Sequence, residues 1–339
     1  MSRVVVYNLA GTPIAEIRAA VDREWLRNEV GEGSMTLSRS DVAEDVLRFG
    51  NRVVVYGDHL PVWGGYIDPP MEWDNQGHVK VSLYSAVGML AWRRTPDKLK
   101  LRGTPGARYW QLLELANTRR SLGIVAGDID YDGEAVTEEL ETEDVLEALQ
   151  KLAEETGYTF WLTPSVGSQT LQWRAHWRLT QNGVNLTHRY HLRSGHNIMP
   201  GAYPYVLDGE IVNDLLAMGR VDGKRSKTES TAIDEASISL YDVREGIRDV
   251  DSNYDGKLSE AASVMIRDLA YPTQTVDALI PRNLVSDATL EILRDLALDN
   301  VYTISMGEVG FGGLQAAVRL KGFGYNDISG QARLILEVL

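Results

Sequence analysis

The sequence predicts a mainly β chain carrying an α+β insert. Residues 1–90 alternate apolar and polar side chains with a period of two between turn residues. Residues 96–195 change to helical spacing followed by a strand–turn–strand pattern, and alternation returns from about 200. A phrase near the start, GNRVVVYGDHLPVWGGYI at 50–67, is echoed near the end by DNVYTISMGEVGFGGL at 299–314.

The first element, RVVVYNLAGT, reads as a strand entering a turn, because Asn8 breaks the apolar run too early for a leader peptide. GSMTLSRSD, RVVVYGD, VWGGYID and HVKVSLYSA follow as antiparallel strands of a sandwich or barrel. In the hairpin at 50–67, Val53, Val55 and Pro61–Trp63 are expected to take turns facing the core. Gly64 and Gly65 mark a bulge or bend, or simply a wide turn. GARYWQLLELANTRR and TEDVLEALQKLAEETG read as helices. In the second, Val145, Leu149 and Leu152 share a face, Glu143 and Asp144 suit the first turn, and Gly157 is a stop. YTFWLTPSVGSQTLQWRAHWRL is a strand pair. EIVNDLLAMGRVDG and ASISLYD read as β, and LSEAASVMIRDLA as a helix ending before Pro272. NVYTISM, GLQAAVRLKGFG and ARLILEVL close the chain as strands.

In the two echoing phrases, Leu47 and Leu296 each stand four residues before Asn51 and Asn300. Asn51 precedes Gly64 by 13 residues and Asn300 precedes Gly312 by 12. Two unrelated hairpins would give the same match. As a true repeat, it implies two related barrels with the insert between them.

The bulk composition narrows the function. The chain has 339 residues, 44% hydrophobic, enough for two or three domains. It has no Cys, which excludes disulfides, thiolate metal sites and cysteine catalysis. No apolar run reaches the roughly 18–20 residues that span a bilayer, so stable membrane insertion is not expected. The net charge of −14 is concentrated: residues 128–155 hold twelve acids against one Lys. The stretch 91–110 holds six Lys and Arg against one Asp, among Trp92, Tyr109 and Trp110. Basic residues among aromatics suit single-stranded nucleic acid, but pairing with the acidic stretch inside the insert is the favoured account.

Motifs for chemistry are incomplete. DVDSNYDGKLSE offers Asp251, Asn253 and Asp255 at calcium-loop positions 1, 3 and 5, but position 12 is Ala262 where a bidentate carboxylate belongs. An acidic turn capping the next helix through Ser259 is the favoured reading. His188, His191 and His196 lack a nearby acid to complete a zinc set and read as surface strand residues. GRVDGKR is one residue short of a phosphate loop, and Arg225 replaces its Ser or Thr. GFGG at 310–313 is not at a strand–helix junction and so is no dinucleotide fingerprint. Trp161, Trp173 and Trp177 suit a sugar platform or, more simply, a core. No catalytic, cofactor or metal residue is assigned, and no enzyme is expected.

The run GSMTLSRSD, LRFGNRVVVYGD, PVWGGYID and SAVGMLAWR resembles the opening barrel of bacteriophage tail hub proteins, the tail-tip or baseplate hub family. The residues that carry the likeness are Gly33, Ser34, Asp41, Gly50, Asn51, Val62, Trp63, Gly64 and Gly65. SLYDVREG at 239–246 resembles a further family phrase, with Asp242 where Gly is usual. The resemblance implies two tube-like barrels, 1–95 and 201–339, around a mixed helical and hairpin insert at 96–200. It implies a homotrimer of pseudo-sixfold symmetry at the virion tail tip, assembled in the host cytoplasm, that caps the tail tube and mounts the host-recognition apparatus. The implied partners are distal tail or tail-tube ring proteins, the tape-measure protein and central fibre or receptor-binding proteins. DNA would be met only in transit, during ejection and host entry. Any hydrolase is expected on another chain, since this one stops at Leu339 after its last strand. The alternative is a carbohydrate-active enzyme or glycan-binding β-sandwich module acting on cell-wall glycan.

Overall fold

The computed structural model describes residues 1–38, 42–57, 60–73, 77–118, 120–140, 142–167, 170–199, 205–208, 211–221, 224–241, 243–250, 255–271, 273–280, 293, 296–306 and 314–339. Six strands open the chain: β1 (Ser2–Tyr7), β2 (Pro13–Leu26), β3 (Glu32–Ser38), β4 (Arg52–Tyr56), β5 (Trp63–Trp73) and β6 (His78–Ser85). They pair in the order β1–β4–β5–β6–β3–β2 and close through β1–β2, an antiparallel barrel with no free edge strand. Period-two alternation turns Val4, Val6, Val21, Met35, Val53, Val55, Trp63, Val79 and Val81 into its interior.

The insert follows: β7 (Leu99–Gly103), α1 (Pro105–Thr118), β8 (Ile124–Ile129), β9 (Val136–Leu140), α2 (Val145–Thr156), β10 (Tyr158–Gly167) and β11 (Thr170–Leu179). Asp144 caps α2 by accepting the Glu147 N–H, and Gly157 ends it at φ 71°. The core of the insert extends onto Val5, Tyr7, Val54 and Tyr66, the outer face of β1, β4 and β5. The insert therefore covers the β1–β4–β5 side of the barrel and reaches the end of β2, where Asn28 Oδ1 accepts the Phe160 N–H.

The second half holds β12 (His191–Arg193), β13 (Tyr205–Asp208), β14 (Asp214–Val221), β15 (Lys224–Ile233), α3 (Glu235–Tyr241), β16 (Glu245–Val250), α4 (Asp255–Leu269), β17 (Thr273–Ile280), β18 (Val301–Met306), β19 (Leu314–Asn326) and β20 (Gln331–Val338). Although β12 falls inside the 96–200 span, it pairs with β18. ASISLYD, expected as β, is α3: Asp234 caps it by accepting the Ser237 N–H at 2.8 Å, and a cap outweighs so short an alternation. β15, β14 and β16 form a separate sheet covered by α4.

The remaining six strands pair in the order β12–β18–β19–β20–β17–β13. Numbered by their own sequence, this is the order of the first barrel: 1–4–5–6–3–2. Two differences stand out: β12 runs parallel to β18 where β1 is antiparallel to β4, and no β12–β13 pairing occurs among the described residues. The Asn-led halves of the echoing phrases occupy the same place in each unit, but the Gly-Gly halves do not correspond: Gly64 and Gly65 face Val54 and Val53, where the second unit sets Ala317 and Val318 against Thr303 and Tyr302. Gly50 and Asp299 both adopt positive φ, 85° and 67°. Gly50 N donates to Ile67 O and Ile67 N to Asn51 O; Asp299 N donates to Leu320 O and Leu320 N to Asn300 O. Both strands then shift register, after Ile67 and after Leu320. Matching a residue-level hydrogen-bond pattern twice is beyond what two unrelated hairpins would give.

Two expectations for the first hairpin change. Val53, Val55 and Trp63 are interior, but Val62 is 40% exposed. Gly64 and Gly65 lie in regular register opposite Val54 and Val53, so they make neither bulge nor wide turn. They are small because of close approach. A Cβ on Gly64 would stand 2.5 Å from the Trp173 ring, and one on Gly65 would stand 2.1 Å from Tyr84 O.

Candidate functional site

The two six-stranded units meet at a seam. Residues Asp22–Leu26 of β2 pair antiparallel with Gly322–Asn326 of β19. The two units thereby share one sheet, β5–β6–β3–β2–β19–β20–β17–β13. Trp25 stacks on Phe323 with ring centroids 4.4 Å apart. Arg23, fully buried, places Nη1 3.0 Å from Asp327 Oδ1 and also donates to Val21 O. Asp327 Oδ2 accepts the N–H of Ser2 at 2.9 Å and of Val21 at 3.2 Å. Burial works against the Asp327 carboxylate, but these N–H groups and the guanidinium hold its pKa below the usual range. Arg27 adds a second tie, 3.2 Å from the buried Asp299. On the face turned away from the barrel interiors, the seam sheet presents Asp22, Glu24, Glu32, Ser34, Thr36, Glu72, Lys80, Ser82, Asn326 and Arg333, a polar face on which these acids outnumber the bases.

A second cluster locks the insert. β7 pairs with β9 over Leu99–Gly103 and Val136–Leu140, so the basic stretch does meet the acidic one. Lys100 lies 3.3 Å from Glu139, at the surface, and Arg108 lies 3.0 Å from Glu138, in the core. Lys257 of α4 enters the same pocket of charge, contacting Glu138 and, at 2.8 Å, Glu155. Burial opposes the Lys257 cation, yet Glu155 and Glu138 raise its pKa above the usual value. Burial pushes the Glu155 carboxyl up; Lys257 pulls it down, Glu138 adds to the rise, and the net direction is up.

Asp251 and Asn253 lie outside the described residues, and α4 begins at Asp255. Calcium-loop positions 5 to 12 are therefore helical, and the helix cap expected at Ser259 is instead an internal turn of α4. His191 Nε2 is 2.7 Å from Ser305 Oγ, while His188 and His196 are exposed on the surface. Among the described residues, no cluster of three His, Asp or Glu could hold a metal ion. GRVDGKR spans the β14–β15 connection, with Val221 opposite Lys224. GFGG lies outside the described residues. Trp173 and Trp177 are buried in the insert core, and only Trp161 lines an open cleft, stacked on His176. No helix of the described residues is long and apolar enough to cross a membrane.

Arg23, Asp327 and Lys257 were missed in the sequence. The signal was present: Arg23 follows Ala19 and Val21 in the interior register of β2, and Lys257 precedes the buried Ala261 by one helical turn.

The chain matches no protein-family model, and no curated protein matches it by sequence. Its fold has clear relatives among solved structures. It is similar to the prophage tail protein gp18 of Listeria monocytogenes, with a TM-score of 0.65 at 12% identity over 99% of this chain and 94% of the other. A tail protein of Neisseria meningitidis gives 0.62 at 16% identity, covering 99% and 96%. The 43 kDa tail protein of prophage MuSo2 from Shewanella oneidensis gives 0.59 at 10% identity, covering 99% and 98%. With both six-stranded units, their seam and the insert covered by these matches, the chain has the fold of phage tail proteins.

Proposed function

We propose that this chain is a structural protein of a phage tail tip, a trimeric hub that caps the tail tube. The observation that carries the reading is the repeated strand order joined into one sheet. A chain with two equivalent units can mate, as three copies, with a six-membered tube, and closed symmetry is the ordinary outcome for homo-oligomers. The insert, packed on the outer face of β1, β4 and the first half of β5, would lie outside the ring. The seam sheet would line the channel through which tape-measure protein and DNA pass. Its polar side chains, with more acids than bases among them, would give passing phosphates little to bind. Host-recognition proteins would mount at the tip, and any catalysis would reside on other chains. The glycan reading loses its platform, because two of its three Trp residues are core.

Mass by light scattering with negative-stain imaging tests this. A mass of three chains in a ring with a central opening is expected. A compact monomer at high concentration, or cell-wall hydrolysis abolished by one carboxylate substitution, overturns it.

A further inference from the structure

The seam inside one chain also specifies a seam between chains, an inference that rests on the trimer reading. The two units can be laid over each other through their pairings alone. In the first, Arg23 lies opposite Gly33, Gly33 opposite Leu83, and Leu83 opposite Ile67. In the second, Tyr205 lies opposite Val276, Val276 opposite Leu336, and Leu336 opposite Leu320. Ile67 and Leu320 are the residues already matched by their hydrogen bonds and register shifts. Tyr205, Val206 and Leu207 of β13 therefore hold the places of Arg23, Glu24 and Trp25 in β2. By the same logic, Met71 lies opposite Val81 as Phe323 lies opposite Leu334. Met71, Glu72 and Trp73 of β5 thus hold the places of Phe323, Gly324 and Tyr325 in β19.

The strands at these places are the two ends of the shared sheet. Among the described residues, β13 pairs with β17 alone, and Met71–Trp73 pair with β6 alone, because β4 reaches only Trp63–Tyr66. Open edges invite pairing with another chain. In β19 the corresponding half strand is the one that leaves β18 and crosses to β2.

We propose that β13 of one copy pairs antiparallel with residues 71–73 of β5 in a second copy, with Leu207 opposite Met71, Val206 opposite Glu72 and Tyr205 opposite Trp73. Each contact repeats the step from β2 to β19. The interface is head-to-tail, so it closes into a ring when its rotation divides a full turn. Every chain then donates one edge and accepts one, and the eight-strand runs merge into one continuous wall.

The absence of Cys makes the test free of background. Residues directly opposite in antiparallel strands have Cα atoms about 4.5–5.5 Å apart, within the roughly 4.4–6.8 Å that a disulfide needs. The chain would be made as Glu72→Cys with Val206→Cys, and separately as Met71→Cys with Leu207→Cys, since neighbouring pairs alternate in side-chain separation. Under mild oxidation at least one pair is expected to give covalent dimers and trimers on non-reducing gels. The single variants, and Val206→Cys with Asp68→Cys, are expected to give none. Glu24→Cys with Gly324→Cys, the same seam within one chain, should cross-link without a change of mass. As an independent measurement, one of Val206→Pro and Leu207→Pro removes an outward N–H and should reduce the oligomer to monomer while keeping its thermal midpoint. A wild-type trimer in which neither pair cross-links and both proline variants stay trimeric overturns this seam and leaves the trimer standing. A wild-type chain that remains monomeric overturns both.

Discussion

Gly65 sits where Trp63 and the Tyr84 carbonyl leave no room for a side chain. Neither strand nor neighbour can yield without moving the barrel wall, so Gly65→Val is an overpacking change. It should cost about 1–3 kcal/mol, read as a lower denaturation midpoint in urea. Charged residues divide in the same way by surroundings. Lys257 is 1% exposed between two carboxylates, and removing it as Lys257→Met leaves Glu138 and Glu155 sharing a single guanidinium. Breaking a buried pair from one side costs roughly 3–5 kcal/mol. Lys100, 57% exposed beside Glu139, should lose at most about 1 kcal/mol as Lys100→Ala. Chemical denaturation of the two variants side by side checks the contrast.

At the scale of elements, α4 meets α2 and β9 through that same cluster, and its titration gives the contact a pH signature. The Glu155 carboxyl is raised from 4.5 in the folded chain. The folded state therefore binds the proton more tightly than the unfolded one. This contribution to stability is full below pH 4.5 and is lost as pH rises through the raised folded value. Glu155→Gln should flatten the dependence of stability on pH from 4.5 toward neutrality, measured by urea midpoints across that window; an unchanged slope would place the rise on another group. The sequence showed some of these elements plainly and hid others. α2 was legible because Asp144 and Gly157 act locally, within one turn of the residues they cap. α3 was misread because Asp234 acts at a single position against a seven-residue alternation. Lys257 looked like part of an acidic loop, and only the arrival of Glu138, 119 residues away in sequence, explains its burial. The repeat was visible as two Asn and two Leu. The strand order that makes it a repeat depends on non-local pairing, which no local pattern encodes.

At the scale of the molecule, the seam decides whether the two units behave as one body. Five residue pairs cross it, with the Trp25–Phe323 stack and the buried Arg23–Asp327 pair on the barrel side. Each unit also has its own apolar interior, so neither needs the other to bury its core. Cooperativity between them must therefore come through the seam and the ties around it, Arg27 to Asp299 among them. Trp25→Ala removes the stacked ring and should cost about 3–5 kcal/mol. Asp327→Asn leaves Arg23 as a buried charge without its carboxylate, a loss of similar size. The two sites are neighbours, so their effects should not simply add. Together they should weaken the seam more than either interior. A single unfolding transition in calorimetry is then expected to split into two, with the wild-type chain giving one. If the double variant still unfolds in one step at a lower midpoint, the units are held together by the packing of α4 on the insert, with Lys257 as the link, rather than by the seam.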